Sequence, residues 1–266
     1  MRNLLILLGG FCFHPVFTPA TVSADIIEVI NAGFEDTSGQ NVVNEFTFGT
    51  PNGWTLHDPE SILGANFYTG TLEPNGTNFF DSTAPEGIKV ALLFNSRRQG
   101  QGEYGYRQDF QETLQANTRY RLSVEVGNIG SDYAESGVFY DLSGFPGYRV
   151  DLLAGDTVIA QDHNSLDIPE RQWDTSVIDF TTGQTHELLG ESLAIRLVNL
   201  NQIPDGYNQF NSPDLEVDFD DVRFETSAVP EPGTLASSSL LLVLLGWRVR
   251  KRRKTNHSRR NSSYQA

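Results

Sequence analysis

Between Asp25 and Thr226 the apolar residues alternate with polar ones or gather in short runs, and they never hold a helical spacing long enough to make a helix face. In "RYRLSVEV", Tyr120, Leu122, Val124 and Val126 share one face, while Arg119, Arg121, Ser123 and Glu125 share the other. Strands are predicted over 89–94, 119–128, 148–161, 175–182, 193–200 and 215–224, separated by Gly, Asn, Asp and Pro. Gly155-Asp156 between apolar arms predicts a hairpin within 148–161. Many short strands without helices predict an all-β fold, an antiparallel β-sandwich or jelly roll over residues 25–226.

The last strand breaks its own alternation. Leu215, Val217 and Phe219 point one way, yet Val222 and Phe224 reach that face only with opposite parity. The phase slips at Asp220-Asp221, which predicts a β-bulge, and two adjacent carboxylates there call for a neutralising partner.

Charge divides the chain. All 34 carboxylates lie in residues 25–246, against ten cations, so this stretch carries a net charge of −24. Such a body repels nucleic acid and anionic lipid and suits divalent cations or neutral partners. Residues 1–24 carry one cation, Arg2, before the apolar "LLILLGGFCF", and "VSA" precedes Asp25, the pattern of a cleaved secretory signal. Cys12, the one cysteine, falls inside that signal, so the expected mature chain has no disulfide. Residues 227–234 read as a linker, 235–249 as a short transmembrane helix, and 250–266 as a basic cytoplasmic tail. The expected location is the cell envelope, the cell surface or the extracellular space. The protein would first be anchored in the membrane through 235–249, with its tail in the cytoplasm.

Two resemblances follow from these residues. "VPEPGT", the apolar run and six cations within 248–254 resemble a PEP-CTERM sorting signal, with Pro230, Glu231 and Pro232 as its motif. That resemblance implies an exosortase-type processing enzyme as partner and a place at the cell surface or in an exopolysaccharide or biofilm matrix. "NAGFED" (31–36), "GW" (53–54), "YRQDFQETLQANTRYRLSVEVGN" (106–128) and "FDDVRF" (219–224) resemble the galactose-binding-like jelly rolls, including carbohydrate-binding module families 4, 9 and 22. This second resemblance implies a structural Ca²⁺ joining the first and last strands. Its ligands would come from Gly33 and Glu35, from Glu86 and Lys89 of "EGIK", and from Asp220 or Asp221.

The stretch 130–148 combines aromatic rings with polar groups, as a sugar-binding loop does. Tyr133, Tyr140 and Tyr148 are its candidate stacking platforms, and the alternative is that its aromatics simply pack on the sandwich. Trp54 and Trp173 are expected in the core. No metal-protease, nucleophile-elbow or phosphate-loop motif is present, and His57, His163 and His186 stand apart from one another. The expectation is therefore a noncatalytic protein that binds extracellular polysaccharide. A structural matrix protein without a defined glycan ligand is the alternative, and a glycoside hydrolase a distant third.

Overall fold

A computed structural model describes residues 24–64, 67–96 and 102–229. In chain order the strands are β1 (Ala24–Ile27), β2 (Asn41–Val43), β3 (Phe46–Phe48), β4 (Thr55–His57), β5 (Phe67–Leu72), β6 (Val90–Asn95), β7 (Tyr104–Thr113) and β8 (Thr118–Asn128). They continue with β9 (Asp132–Tyr133), β10 (Phe139–Tyr140), β11 (Tyr148–Ala154), β12 (Thr157–His163), β13 (Gln172–Thr181), β14 (Ser192–Asn199) and β15 (Leu215–Ala228). No helix occurs among the described residues. The expected sorting motif and membrane segment lie outside them, as does the expected signal peptide up to residue 23.

Eight strands form one antiparallel sheet in the order β13-β8-β15-β6-β5-β3-β2, with β1 also paired to β15. Five form the other, β12-β11-β14-β7-β4. Side chains from both sheets meet in a core that includes Phe34, Tyr106, Leu122, Val150, Leu197 and Phe219. The result is a sandwich of the jelly-roll kind. β11 and β12 form the expected hairpin, with Gly155 at φ 59° in its two-residue turn. Trp54 lies in the core, stacked on Phe34 with ring centroids 5.3 Å apart. Trp173 is half-buried and stacks on Phe80 at 4.4 Å.

β15 carries the expected bulge. Asp220 pairs with Glu125 and Arg223 with Ser123, so Asp221 and Val222 together oppose one residue, and Asp221 has φ 46°. The bulge returns Val222 and Phe224 to the core beside Val217 and Phe219. On its other edge β15 changes partner at the same place. β6 pairs with Leu215–Phe219, and β1 pairs with Phe224–Ser227.

A second apolar layer covers the outer face of the eight-stranded sheet. Leu72, Phe79, Phe80, Val90, Leu92, Phe94, Ile129 and Leu142 form it, drawn from β5, β6 and the long connections after β5 and β8. β6 is therefore buried on both faces, which explains its unbroken apolar run "VALLF". The same layer covers the polar face of β15, so Glu216, Asp218 and Asp220 are buried instead of solvated.

Candidate active site

The second layer leaves a cleft of about 340 Å³ on the outer face of the large sheet, between β3, β5, β6 and the small β9–β10 hairpin. Five aromatic rings close a circuit around it. Phe48 meets Tyr68 at 5.7 Å, Tyr68 meets Phe94 at 5.7 Å, and Phe94 meets Tyr140 edge-on at 5.7 Å. Tyr140 meets Phe46 at 6.0 Å, and Phe46 returns to Phe48 at 6.2 Å. Strand alternation builds this wall: Phe46 and Phe48 flank buried Thr47, and Phe94 follows Leu92 on the outward side of β6.

The polar lining of the cleft, beyond its tyrosine hydroxyls, is Ser96, Asp214 and Glu216, and among the described residues no Lys or Arg lines it. Glu216 is buried, and desolvation pushes its carboxyl up to about 8, with the charge of Asp214 adding to the rise. Asp218, two residues on along the same face, is raised as well, by burial first and then by the charge of Glu216. Oε1 of Glu216 and both Asp218 oxygens receive no hydrogen bond from an N–H or hydroxyl group. The two side chains contact each other, and two carboxyls satisfy one another only when at least one holds a proton. The cleft thus pairs a protonated acid with an aromatic, largely apolar wall. Tyr140 is itself raised, by burial and then by the charges of Glu216 and Glu45.

The aromatic candidates from the sequence separate. Tyr140 belongs to this wall, and Tyr133 is exposed and packs on Phe139 at 5.1 Å. Tyr148 is no platform: it is wholly buried, and its hydroxyl donates to Asp162 at 2.6 Å. The second concave place, beside β11, is occupied by ion pairs. Arg149 there is held by Glu103 and Asp151, and Arg196 by Asp151.

The residues expected around calcium converge at the β15 bulge. The Glu86 amide donates to Asp220 at 2.7 Å, and the Val222 amide donates to the Ala32 carbonyl at 3.1 Å. A Cβ added to Gly33 would meet the Glu86 carboxylate, so a larger residue there would have to push that carboxylate aside. Glu35 accepts the amides of Ile88 and Lys89, at 2.6 and 2.8 Å. The Lys89 ammonium pairs with Glu73, and the Asp221 carboxylate with Arg223. Burial raises the Asp220 carboxyl to about 8, since two amide donors do not offset its desolvation. No group of three or more His, Cys, Asp or Glu side chains is gathered as a metal cluster among the described residues. Among the described residues no Lys or Arg pairs with Glu35, Glu86 or Asp220, and carbonyls or water could complete an oxygen shell of the kind Ca²⁺ accepts readily.

A model of the HpiC1-like family, described as HpiC1 cyclase, matches residues 25–225. The apo form of a cyclase from Fischerella sp. is 35% identical, with TM-score 0.66, over 79% of this chain and 99% of that one. A Stig cyclase from Fischerella sp. TAU, solved with (3Z)-3-(1-methyl-2-pyrrolidinylidene)-3H-indole, is 35% identical, with TM-score 0.66, over 78% of this chain and all of that one. A further cyclase from Fischerella sp. TAU, solved with 4-(1H-indol-3-yl)butan-2-one, aligns equally well. The xylan-binding CBM22 module of Paenibacillus barcinonensis aligns at 13% identity with TM-score 0.40, over 80% of this chain and all of that one. No curated protein matches.

These matches overturn the expectation of a noncatalytic carbohydrate-binding or matrix protein. The similar proteins are cyclases, and those solved with ligands hold small indole compounds, not polysaccharide. The roles of extracellular polysaccharide as partner and of Tyr133, Tyr140 and Tyr148 as sugar platforms fall with that expectation. No match shows a sorting signal or an exosortase partner.

Proposed function

The chain belongs to the HpiC1-like cyclase family, and on that premise we propose that the aromatic cleft is its active site, cyclising an apolar, indole-bearing alkene with Glu216 as the acid. The observation that carries this reading is a buried carboxyl, pushed up to about 8, lining a cleft walled by five linked aromatic rings. A carboxyl of that acidity is mostly protonated near neutral pH and can donate a proton without help.

The chemistry balances as an isomerisation. The O–H bond of Glu216 breaks and its proton forms a C–H bond at one alkene carbon, leaving a carbocation at the other. The indole or a second alkene supplies an electron pair to that centre, a C–C bond closes the ring, and the proton then lost from the ring returns to the Glu216 carboxylate. No oxidant or reductant is needed. The faces of Phe46, Phe48, Phe94, Tyr68 and Tyr140 stabilise positive charge while they exclude water that would trap it. Crystals soaked with 4-(1H-indol-3-yl)butan-2-one should show its indole against Phe94 and Tyr140; the indole bound elsewhere would refute the assignment.

We propose a structural role for Ca²⁺ at the β15 bulge, with Glu35, Glu86 and Asp220 as its candidate carboxylates and with carbonyls near Gly33 and Lys89 completing the shell. The oxygen-rich convergence and the uncompensated burial of Asp220 support it. Bound there, the ion would neutralise the bulge and join the first and last parts of the fold. We propose as well that the chain is exported and anchored through residues 235–249, a reading supported by the apolar and basic patterning of its two ends.

A further inference from the structure

Glu45 stands in the two-residue turn between β2 and β3, where a carboxylate is ordinarily solvated, yet it is only 6% exposed. What buries it is the tip of the β9–β10 hairpin. Oε1 of Glu45 accepts the Glu135 amide at 2.8 Å, while its backbone carbonyl accepts the Glu73 amide at 2.7 Å. One residue thus joins the β2–β3 turn, the end of β5 and the hairpin tip. Its neighbour Phe46 meets Tyr140 of the same hairpin edge-on.

The base of the hairpin is tied by the Leu142 amide to Ser131 Oγ at 2.8 Å and by the Asp214 amide to the Asp141 carbonyl at 2.7 Å, but its own ladder is slight. Two residue pairs, Tyr133–Phe139 and Asp132–Tyr140, make up its ladder, and a short turn from Ala134 to Val138 closes it. A two-stranded ribbon this short does not hold its place in water unaided. It nevertheless supplies Val138, Phe139 and Tyr140 to the cleft wall. The anchor at its tip is a hydrogen bond made where water is largely excluded, and Oε2 of the same carboxyl is buried there without a partner.

We infer that Glu45 is a positioning residue, which pins the β9–β10 hairpin through the Glu135 amide and so holds Tyr140 and Phe139 in the wall of the cleft. The inference rests on the cleft being the active site. Glu45 touches no reacting atom in this account; it acts through the hairpin.

The test compares the wild-type protein with E45A and E45Q, by amide hydrogen exchange and by affinity for 4-(1H-indol-3-yl)butan-2-one. E45A should lose protection at the Glu135 amide and bind the indole up to about tenfold more weakly, the loss expected for one buried hydrogen bond. Amides of β8 and β15 should stay protected, which shows the sandwich intact. Gln offers the same carbonyl acceptor at the same reach, so E45Q should recover most of the affinity and the protection. Wild-type affinity in E45A despite a freely exchanging Glu135 amide would overturn the role of Glu45 alone. Equal weakening in E45Q and E45A would also overturn it, because charge and not the anchor would then matter. Failure of the wild type to bind the indole at all would remove the cleft reading and this inference together.

Discussion

Glu216 and Asp218 lie two residues apart on the same face of β15, both buried, and their carboxyls meet with no Lys or Arg among the described residues paired to them. Ordinary strand alternation would send that face to water. The layer built from the connections after β5 and β8 covers it instead, and the cost of charging two adjacent acids there keeps protons on the pair.

Activity should therefore depend on pH in one direction. Glu216 must be protonated to act, so kcat/KM should hold level on the acid side and fall as pH rises through about 8. A pH–rate profile that rises across that range would argue against Glu216 as the acid.

Stability should move the same way. The folded pKa of Glu216 lies above its ordinary 4.5, so the folded state binds more protons than the unfolded state between about 4.5 and about 8. This contribution is fully present below the unfolded value and is lost as pH rises through the folded one. E216Q, which cannot ionise, should flatten the fall in Tm between those limits, and denaturation at several pH values measures it.

Calcium should stabilise the fold through the bulge. With Ca²⁺ at 100-fold above its dissociation constant, linkage gives about 2.7 kcal/mol if the unfolded chain binds none. EDTA should lower Tm by several degrees, and E86Q or D220N should shrink that response. A wild-type Tm unchanged by EDTA and by added Ca²⁺ would exclude the site.

Tyr148 and Tyr140 should behave as opposites. Y148F removes a buried hydroxyl that donates to Asp162, also the acceptor for Ser176, and should cost about 1–3 kcal/mol of stability without changing indole affinity. Y140A takes a ring out of the cleft wall and should weaken indole binding about tenfold while costing less stability. Thermal melts and binding titrations on the two variants distinguish them.

The sequence carries the sandwich clearly and the active site poorly, for physical reasons visible at particular residues. β8 and β13 bury one face, so period-two patterning marks them, β11 and β14 are buried at nearly every residue and show as apolar runs, and the phase slip at Asp220 marks the bulge. β7 is harder to read, because its buried positions include Gln108, whose side-chain amide is satisfied by both backbone groups of Ile30. Glu216 and Asp218 look like the solvated side of an amphipathic strand. The sign that they are not lies in β6, whose unbroken "VALLF" requires a second apolar layer over this part of the sheet. Tyr140 and Tyr148 sit in the same aromatic stretch, and nothing local separates a ring in the cleft wall from one in the core; pairing of β11 with β14 decides it.

The most direct measurement is turnover of an indole bearing an alkenyl chain by the wild type and by E216Q, with affinity for 4-(1H-indol-3-yl)butan-2-one determined on both. Losing a general acid should slow ring closure by about 100-fold or more while the isosteric amide leaves the affinity nearly unchanged. Ring closure by E216Q at the wild-type rate, with the same product, would contradict the account.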